Sequence, residues 1–316
     1  MNLSLHLVRL LVFAVIFVNG WTDAPNAIAT AVGSGSMTFR KAAAMACVCN
    51  FLGTAVSCLC FPAVASTIGE LAAFSDAHAT LTALNAALLS IVLWAVAAWR
   101  FGLPTSESHA LLAGLSGAAL ALSDASVSLN RGAWLRALAG LALSLPAGVL
   151  AGRMFRVLLA GKIRRPAPWQ RTGAALTAFL HGAQDGQKFM ALLVLTSGLE
   201  GESAPSTLSL ALLTAGVMAL GTALGGRPIV EKVGSELAAL SPLEGLAADL
   251  GAGAVLLTCS LWGLPVSTTH AKVAAICGAG RQPDRQVLTQ MAGAWVLTFP
   301  CCALIAFLLA RLMVPA

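Results

Sequence analysis

The stretch NGWTDAPN, residues 19–26, lies at the end of the first apolar run of the chain, and HGAQDGQK, residues 181–188, repeats its pattern as x-G-x-x-D-x-x-polar. Asp23 falls on Asp185, 162 residues later. A second pair sits at nearly the same interval. PTSESHALLAGLSGAA (104–119) matches PVSTTHAKVAAICGAG (265–280), with Pro104 on Pro265, Ser106 on Ser267, His109 on His270 and Gly117 on Gly278. Two unrelated motifs recurring in the same order mark an internal duplication.

The surrounding chain is membrane-like. Of its 316 residues 58% are hydrophobic and 10% charged, against about 25% charged in soluble domains, and its mean hydropathy is +0.84. Ten apolar spans are expected, at 4–34 (interrupted), 41–66, 79–99, 102–122, 133–160, 172–198, 207–224, 245–263, 265–281 and 286–312. The first is kept as a span rather than a signal peptide, because no small-residue cleavage site follows it. The net charge of +6 lies in short loops, which reads as a topology signal and not as a nucleic-acid surface. With the N-terminus outside, inner loops hold Arg40, Lys41, Arg100, Arg164, Arg165, Arg171, Arg227, Lys232, Arg281 and Arg285. Outer loops hold Glu70, Asp76, Asp124, Glu200 and Glu202, with Arg131 and Arg136 as exceptions. Both termini then lie outside. The eight cysteines all fall in apolar blocks without metal-binding spacing and read as small packing residues.

The basic, proline-containing GKIRRPAPWQR (161–171) divides the chain into 1–160 and 172–316. Five spans per half is an odd number, so the second half enters the membrane from the other side. The expected fold is an all-α integral membrane protein of ten spans in two inverted five-span repeats, with broken or half-helices at the midplane, as in many secondary transporters.

Asn19, Asp23, Asn26 and Thr30 are spaced to form one polar stripe on a helix, and Pro25 breaks that helix, freeing the carbonyl of Trp21. Buried carboxylates mark ion paths in membranes. Asp23 and Asp185, with neighbouring amide, hydroxyl and carbonyl oxygens, suit either a small hard cation or a carried proton. PTSESH and PVSTTH place a proline and hydroxyls before a helical run, so that N-terminal N–H groups face an anion such as phosphate or sulfate. Glu107 puts an acid in that anion site; it is expected to be protonated, cation-paired or turned away, or to accept a phosphate O–H. Lys188 either pairs with Asp185 or holds the anion. Lys272 reads as a paired or snorkelling cation, and Asp249 as a candidate member of the ion site. His109 and His270 read as packing partners before proton carriers. An intramembrane hydrolase needs one asymmetric constellation, whereas every part here is doubled, so no enzyme is expected. A passive channel fits paired ionisable groups on broken helices less well than an occluded site.

These motifs resemble the PiT family of inorganic phosphate transporters, the Pho-4 type. Its G-x-N-D-x-A-N and H-G-x-N-D-x-Q-K stretches look like NGWTDAPNAIAT and HGAQDGQKFM, and its P-x-S-T-T-H stretches look like PTSESH and PVSTTH. GGRPIVEKVGSEL (225–237) and SPLEGLAADLGA (241–252) also resemble the family. The resemblance implies uptake of inorganic phosphate by sodium or proton symport, across the inner membrane of a bacterium, by a compact homodimer with no cofactor beyond the transported ions. Carried over by position, Ser106, Ser108, Ser267, Thr268, Thr269, Asn26, Gln187 and Lys188 are candidates for phosphate. Asp23, Asp185, Asn19, Thr22, Gln184 and Glu107 are candidates for the coupling ion, with Asp23 and Asp185 as sodium ligands. Thr22 and Gln184 stand where the family often has asparagine, Glu107 where a hydroxyl is usual, and Pro25 where alanine is usual. These departures bear on the coupling ion, and a sulfate-carrying branch keeps sulfate as the alternative anion.

Overall fold

The structure, a computed structural model, describes residues 2–73, 76–122, 128–198, 205–280 and 282–313; Asp124, Glu200, Glu202 and Arg281, named above as loop charges, lie outside them. Among the described residues the regular structure is helical apart from one ladder of two residues per strand. Its helices are α1 (Asn2–Thr22), α2 (Ala29–Gly33), α3 (Phe39–Cys60), α4 (Ala63–Gly69), α5 (Ala77–Arg100), α6 (Glu107–Ala121) and α7 (Arg131–Leu159). They continue as α8 (Pro166–Gly198), α9 (Thr207–Leu224), α10 (Arg227–Glu231), α11 (Pro242–Leu261), α12 (Thr268–Ala279) and α13 (Arg285–Met313). Among the described residues, seven helical segments are long and apolar enough to cross a membrane. Leucines, valines and other large apolar side chains on their outer faces stay exposed, as lipid-facing surfaces require.

The ends of α5 and α11 share one design. Each runs into a glycine of positive φ, Gly102 (65°) and Gly263 (64°), and then into an extended stretch ending at a serine that caps the next helix. Ser106 accepts from the His109 N–H and Ser267 from the His270 N–H, at 3.3 and 3.2 Å. The helices so started, α6 and α12, have 15 and 12 residues, or about 22 and 18 Å, less than the roughly 30 Å of a hydrocarbon core. Strands β1 (Ala72–Ala73) and β2 (Ser128–Leu129) pair antiparallel and tie the end of α4 to the start of α7. α6 packs on α13 and α12 on α7, so each half-helix is held by the other half of the chain. Gly117 lies against the carbonyl of Ala303, three residues past Pro300 of α13, and Gly278 against that of Val149, three past Pro146 of α7.

The first span is broken as its sequence demands. α1 stops at Thr22, a 3-10 turn covers Ala24–Ile28 with Pro25 in its first turn, and α2 resumes at Ala29. The expected single polar stripe is therefore split, and Thr30 belongs to a different cluster from Asp23. HGAQDGQK has no proline, and α8 runs through it unbroken. Gly225 and Gly226 lie on the Trp21 carbonyl and the Pro25 ring, where any Cβ would collide. Gly226 also has φ +71°. Gly226→Ala is expected to cost at least about 1–3 kcal/mol, read as a lower unfolding temperature in detergent.

The long helices are equally close. Gly20 of α1 rests on the carbonyl of Met218 and Gly221 of α9 on that of Phe17. Gly53 of α3 rests on the carbonyl of Phe179 and Gly182 of α8 on that of Asn50.

Candidate ion and anion site

The break at Pro25, the middle of α8 and the tips of α6 and α12 meet in the interior. Asp23 is 3% exposed and Asp185 1%. The Thr268 hydroxyl bridges them, 3.0 Å from Asp23 Oδ2 and 3.2 Å from Asp185 Oδ2. Around each aspartate the same network is drawn with different residues. At Asp23, Asn26 Nδ2 donates to Asp23 Oδ1 (2.7 Å) and to Thr269 Oγ1 (3.1 Å). Thr269 Oγ1 is itself hydrogen-bonded to Asp23 Oδ1 and lies 2.9 Å from the Thr105 carbonyl. At Asp185, Lys188 Nζ donates to Asp185 Oδ1 (2.5 Å) and to Ser108 Oγ (2.7 Å), while Ser108 donates to the Val266 carbonyl (2.9 Å). Asn26 and Lys188, Thr269 and Ser108, and Thr105 and Val266 are the positions that the two sequence motifs equate. The α12 tip thus reaches Asp23 directly through Thr269, the α6 tip reaches Asp185 through Lys188, and Thr268 touches both aspartates.

The differences between the two networks are in charge. Asp185 has Lys188, and His181 Nε2 lies 3.3 Å away outside hydrogen-bond geometry. Asp23 has the neutral Asn26. Glu107, at the position equated with Thr268, accepts from Thr22 Oγ1 at 3.0 Å and faces Asp23. The cluster therefore holds three carboxyl groups and one lysine. Buried charge of one sign is costly in a membrane unless a proton or cation balances it. Asn19 donates to Asp185 Oδ2 (3.1 Å), which leaves Asn19 Oδ1, Asn26 Oδ1 and Glu107 Oε2 buried without a hydrogen-bond partner among the described residues. Orphaned acceptor oxygens beside carboxylates fit a hard cation, which takes oxygen ligands. Single ligand atoms of Asp23, His181 and Asp185 also lie within 4.8 Å of one another.

Not every candidate joins. The Ser106 and Ser267 oxygens accept the cap hydrogen bonds of α6 and α12, and their O–H groups remain as donors. Gln184 turns to the Leu264 carbonyl (2.9 Å) and Ser260 (2.5 Å), and Gln187 to the Val64 N–H (2.9 Å) and the Ala183 carbonyl (2.9 Å). The two amides tie α8 to the start of α4 and to the end of α11. His109 and His270 stack edge to face at 4.6 Å, against Phe299 and Trp295. Lys272 pairs with Asp249, as its reading as a paired cation anticipates. Asn50, which the sequence motifs do not include, accepts at Oδ1 from His181 Nδ1 (3.2 Å) and donates from Nδ2 to Thr222 Oγ1 (3.2 Å). Its only signal is a lone amide in the apolar run of α3.

The model of the phosphate transporter family matches this chain over residues 19–172 and 153–306. The chain belongs to the phosphate transporter family. A probable low-affinity inorganic phosphate transporter of Bacillus subtilis (strain 168) is 31% identical over 327 residues, covering 96% of each chain. One of the same description from Rhizobium meliloti (strain 1021) is 33% identical over 310 residues, covering 92% of this chain and 91% of that one. A solved structure described as "The sodium-dependent phosphate transporter" superposes with TM-score 0.84 at 20% identity, covering 99% of both chains, so the two share a fold. Relatives in the phosphate transporter family are named as transporters or permeases, not enzymes, and the apolar helices make this member a multi-pass membrane protein.

Proposed function

We propose that this protein is a cation-coupled symporter of inorganic phosphate. In this reading it crosses the membrane ten times, in two five-span repeats of opposite orientation, 1–160 and 172–316, joined by the basic linker 161–171. An extended stretch plus a half-helix makes the fourth crossing of each repeat. Loop charges favour both termini outside, and the family resemblance adds a homodimer in a bacterial inner membrane.

One observation carries the reading: the doubled network in which two half-helix tips from opposite halves reach two buried aspartates. Ser108, Thr268 and Thr269 supply hydroxyls at the tips, where first-turn N–H groups and the positive helix end favour an oxyanion. Lys188 neutralises Asp185, so Asp23 and Glu107 are the groups left to be balanced from solution. The orphaned amide oxygens of Asn19 and Asn26 favour sodium there, and Glu107 beside Asp23 favours a proton as the second reading. A cation bound among these carboxyls offsets part of the cost of desolvating phosphate, and the two cross together as one group of helices, drawn from both repeats, moves against the rest.

The test is uptake of radiolabelled phosphate into proteoliposomes holding the purified chain, under an imposed sodium or proton gradient, with sulfate as competitor. Uptake driven by an inward cation gradient and poorly inhibited by sulfate is expected; uptake indifferent to both gradients would sink the symport reading. Glu107→Gln is expected to flatten the pH dependence of uptake while sodium dependence persists. An unchanged pH profile removes Glu107 from coupling.

A further inference from the structure

A second buried charge cluster lies one turn beyond Asn26. Lys272 Nζ of α12 is bonded to Asp249 Oδ1 of α11, to Thr30 Oγ1 (3.1 Å) and to the Ala27 carbonyl (3.1 Å). Thr30 Oγ1 also donates to Asp249 Oδ1 (2.6 Å), and Gln170 Nε2 fixes the Thr30 carbonyl (2.9 Å). Lys272 is 1% exposed and Asp249 0%. Asp249 Oδ2 is buried with no hydrogen-bond partner among the described residues. One carboxylate, one hydroxyl and one carbonyl, with a further carboxylate oxygen to spare, make an all-oxygen set of the kind hard cations take. Lys188 has the same set in Asp185, Ser108 and the Val266 carbonyl.

Packing does not demand a charge here. The positions equated by the repeat with Thr30, Asp249 and Lys272 are Leu192, Leu88 and Leu111, and all three are buried in the main apolar core. A buried ion pair is usually no more stabilising than apolar side chains of similar volume, so the polar version at this place points to a site for positive charge.

We propose that Lys272 is a tethered cation: its ammonium fills a monovalent-cation site built by Asp249, Thr30 and the Ala27 carbonyl, and its removal opens that site to sodium from solution. This half of the molecule then carries one countercharge on the chain instead of drawing it from the medium. The inference goes beyond the transport reading, and its test reads stability, so that failure of one leaves the other standing.

The unfolding temperature of the purified full-length chain is titrated with sodium chloride against choline chloride at constant ionic strength. The wild type sets the baseline response. Lys272→Ala is expected to unfold at a lower temperature than the wild type in choline and to recover the deficit as sodium rises, and adding Asp249→Asn is expected to erase that extra response. A sodium response of Lys272→Ala equal to that of the wild type overturns the proposal. So does a Lys272→Ala that stays unfolded with sodium present throughout, because the ion must then be unable to take the place of the ammonium. Lys272→Leu/Asp249→Leu, which copies the leucines of the other half, is expected to fold with the baseline response; an added sodium response in that variant also overturns it.

Discussion

Asp23→Asn is expected to abolish phosphate uptake, by at least roughly 100-fold, in a protein that still folds and inserts. The substitution keeps the volume, and the amide oxygen can still accept from Thr268 or Thr269. What disappears is one of the two carboxyl groups at the crossing, Asp23 and Glu107, that have no lysine of their own. Hydrogen bonds to a charged group are each worth about 1.5–3 kcal/mol, so weakening two of them, besides losing the cation they surround, reaches roughly two orders of magnitude in a binding constant. Size-exclusion elution of the variant tests the fold, and proteoliposome uptake tests the function. Uptake at the wild-type rate would remove Asp23 from the transport site.

Lys188→Met acts on the other aspartate and acts first on stability. It leaves Asp185 buried with a charge, with Asn19 and Thr268 as its hydrogen-bond partners and His181 and the Asp23 carboxyl beside it, and it strips the Ser108 hydroxyl and the Val266 carbonyl of their common donor. Breaking one side of a buried pair costs about 3–5 kcal/mol. A sharp loss of folded protein is expected, largely restored in Lys188→Met/Asp185→Asn, where no charge remains unpaired. The restored double variant is expected to be inactive. If Lys188→Met is instead as stable as the wild type and only raises the phosphate concentration needed for half-maximal uptake, the lysine holds the anion and not the aspartate.

The motifs made the large features readable. A proline and a serine ahead of an apolar run mark a helix start, and Ser106 and Ser267 cap α6 and α12 as that pattern requires. The same hydroxyls are candidates for phosphate, and the two roles use different parts of the group: the oxygen accepts the His109 or His270 N–H three residues away, and the O–H stays free to donate. Asp23 and Asp185 were legible because a duplicated acid in an apolar block is costly and rarely idle. The partners of each acid were not legible. That Thr269 serves Asp23 while Ser108 serves Lys188 and Asp185 follows from the half-helices crossing between halves, which no local spacing records. Gln184 and Gln187 flank Asp185 in sequence, yet successive helix positions point about 100° apart, so they turn to α4 and α11. The unbroken α8 differs from the broken first span because one carries glycine after its aspartate and the other carries proline two residues on. The carbonyls of Val266 and Ala27 leave no mark in the sequence, since every residue has one.

The glycine contacts along the long helices limit how this molecule can change shape. At α1 against α9, and at α3 against α8, each partner presses a glycine onto the other's backbone. A slip of one residue would drive a side chain into a carbonyl on both sides at once. α3 also packs along α9, with Asn50 donating to Thr222, so those four helices, with Asp23 hung from the end of one and Asp185 in the middle of another, are held as a single block. Any opening toward either face has to part the seam where the tips of α6 and α12 touch that block, which is the line along which the carboxylates and hydroxyls meet. In such a machine the bound ions would be the rivets, and whether the seam can part would depend on which of them are in place.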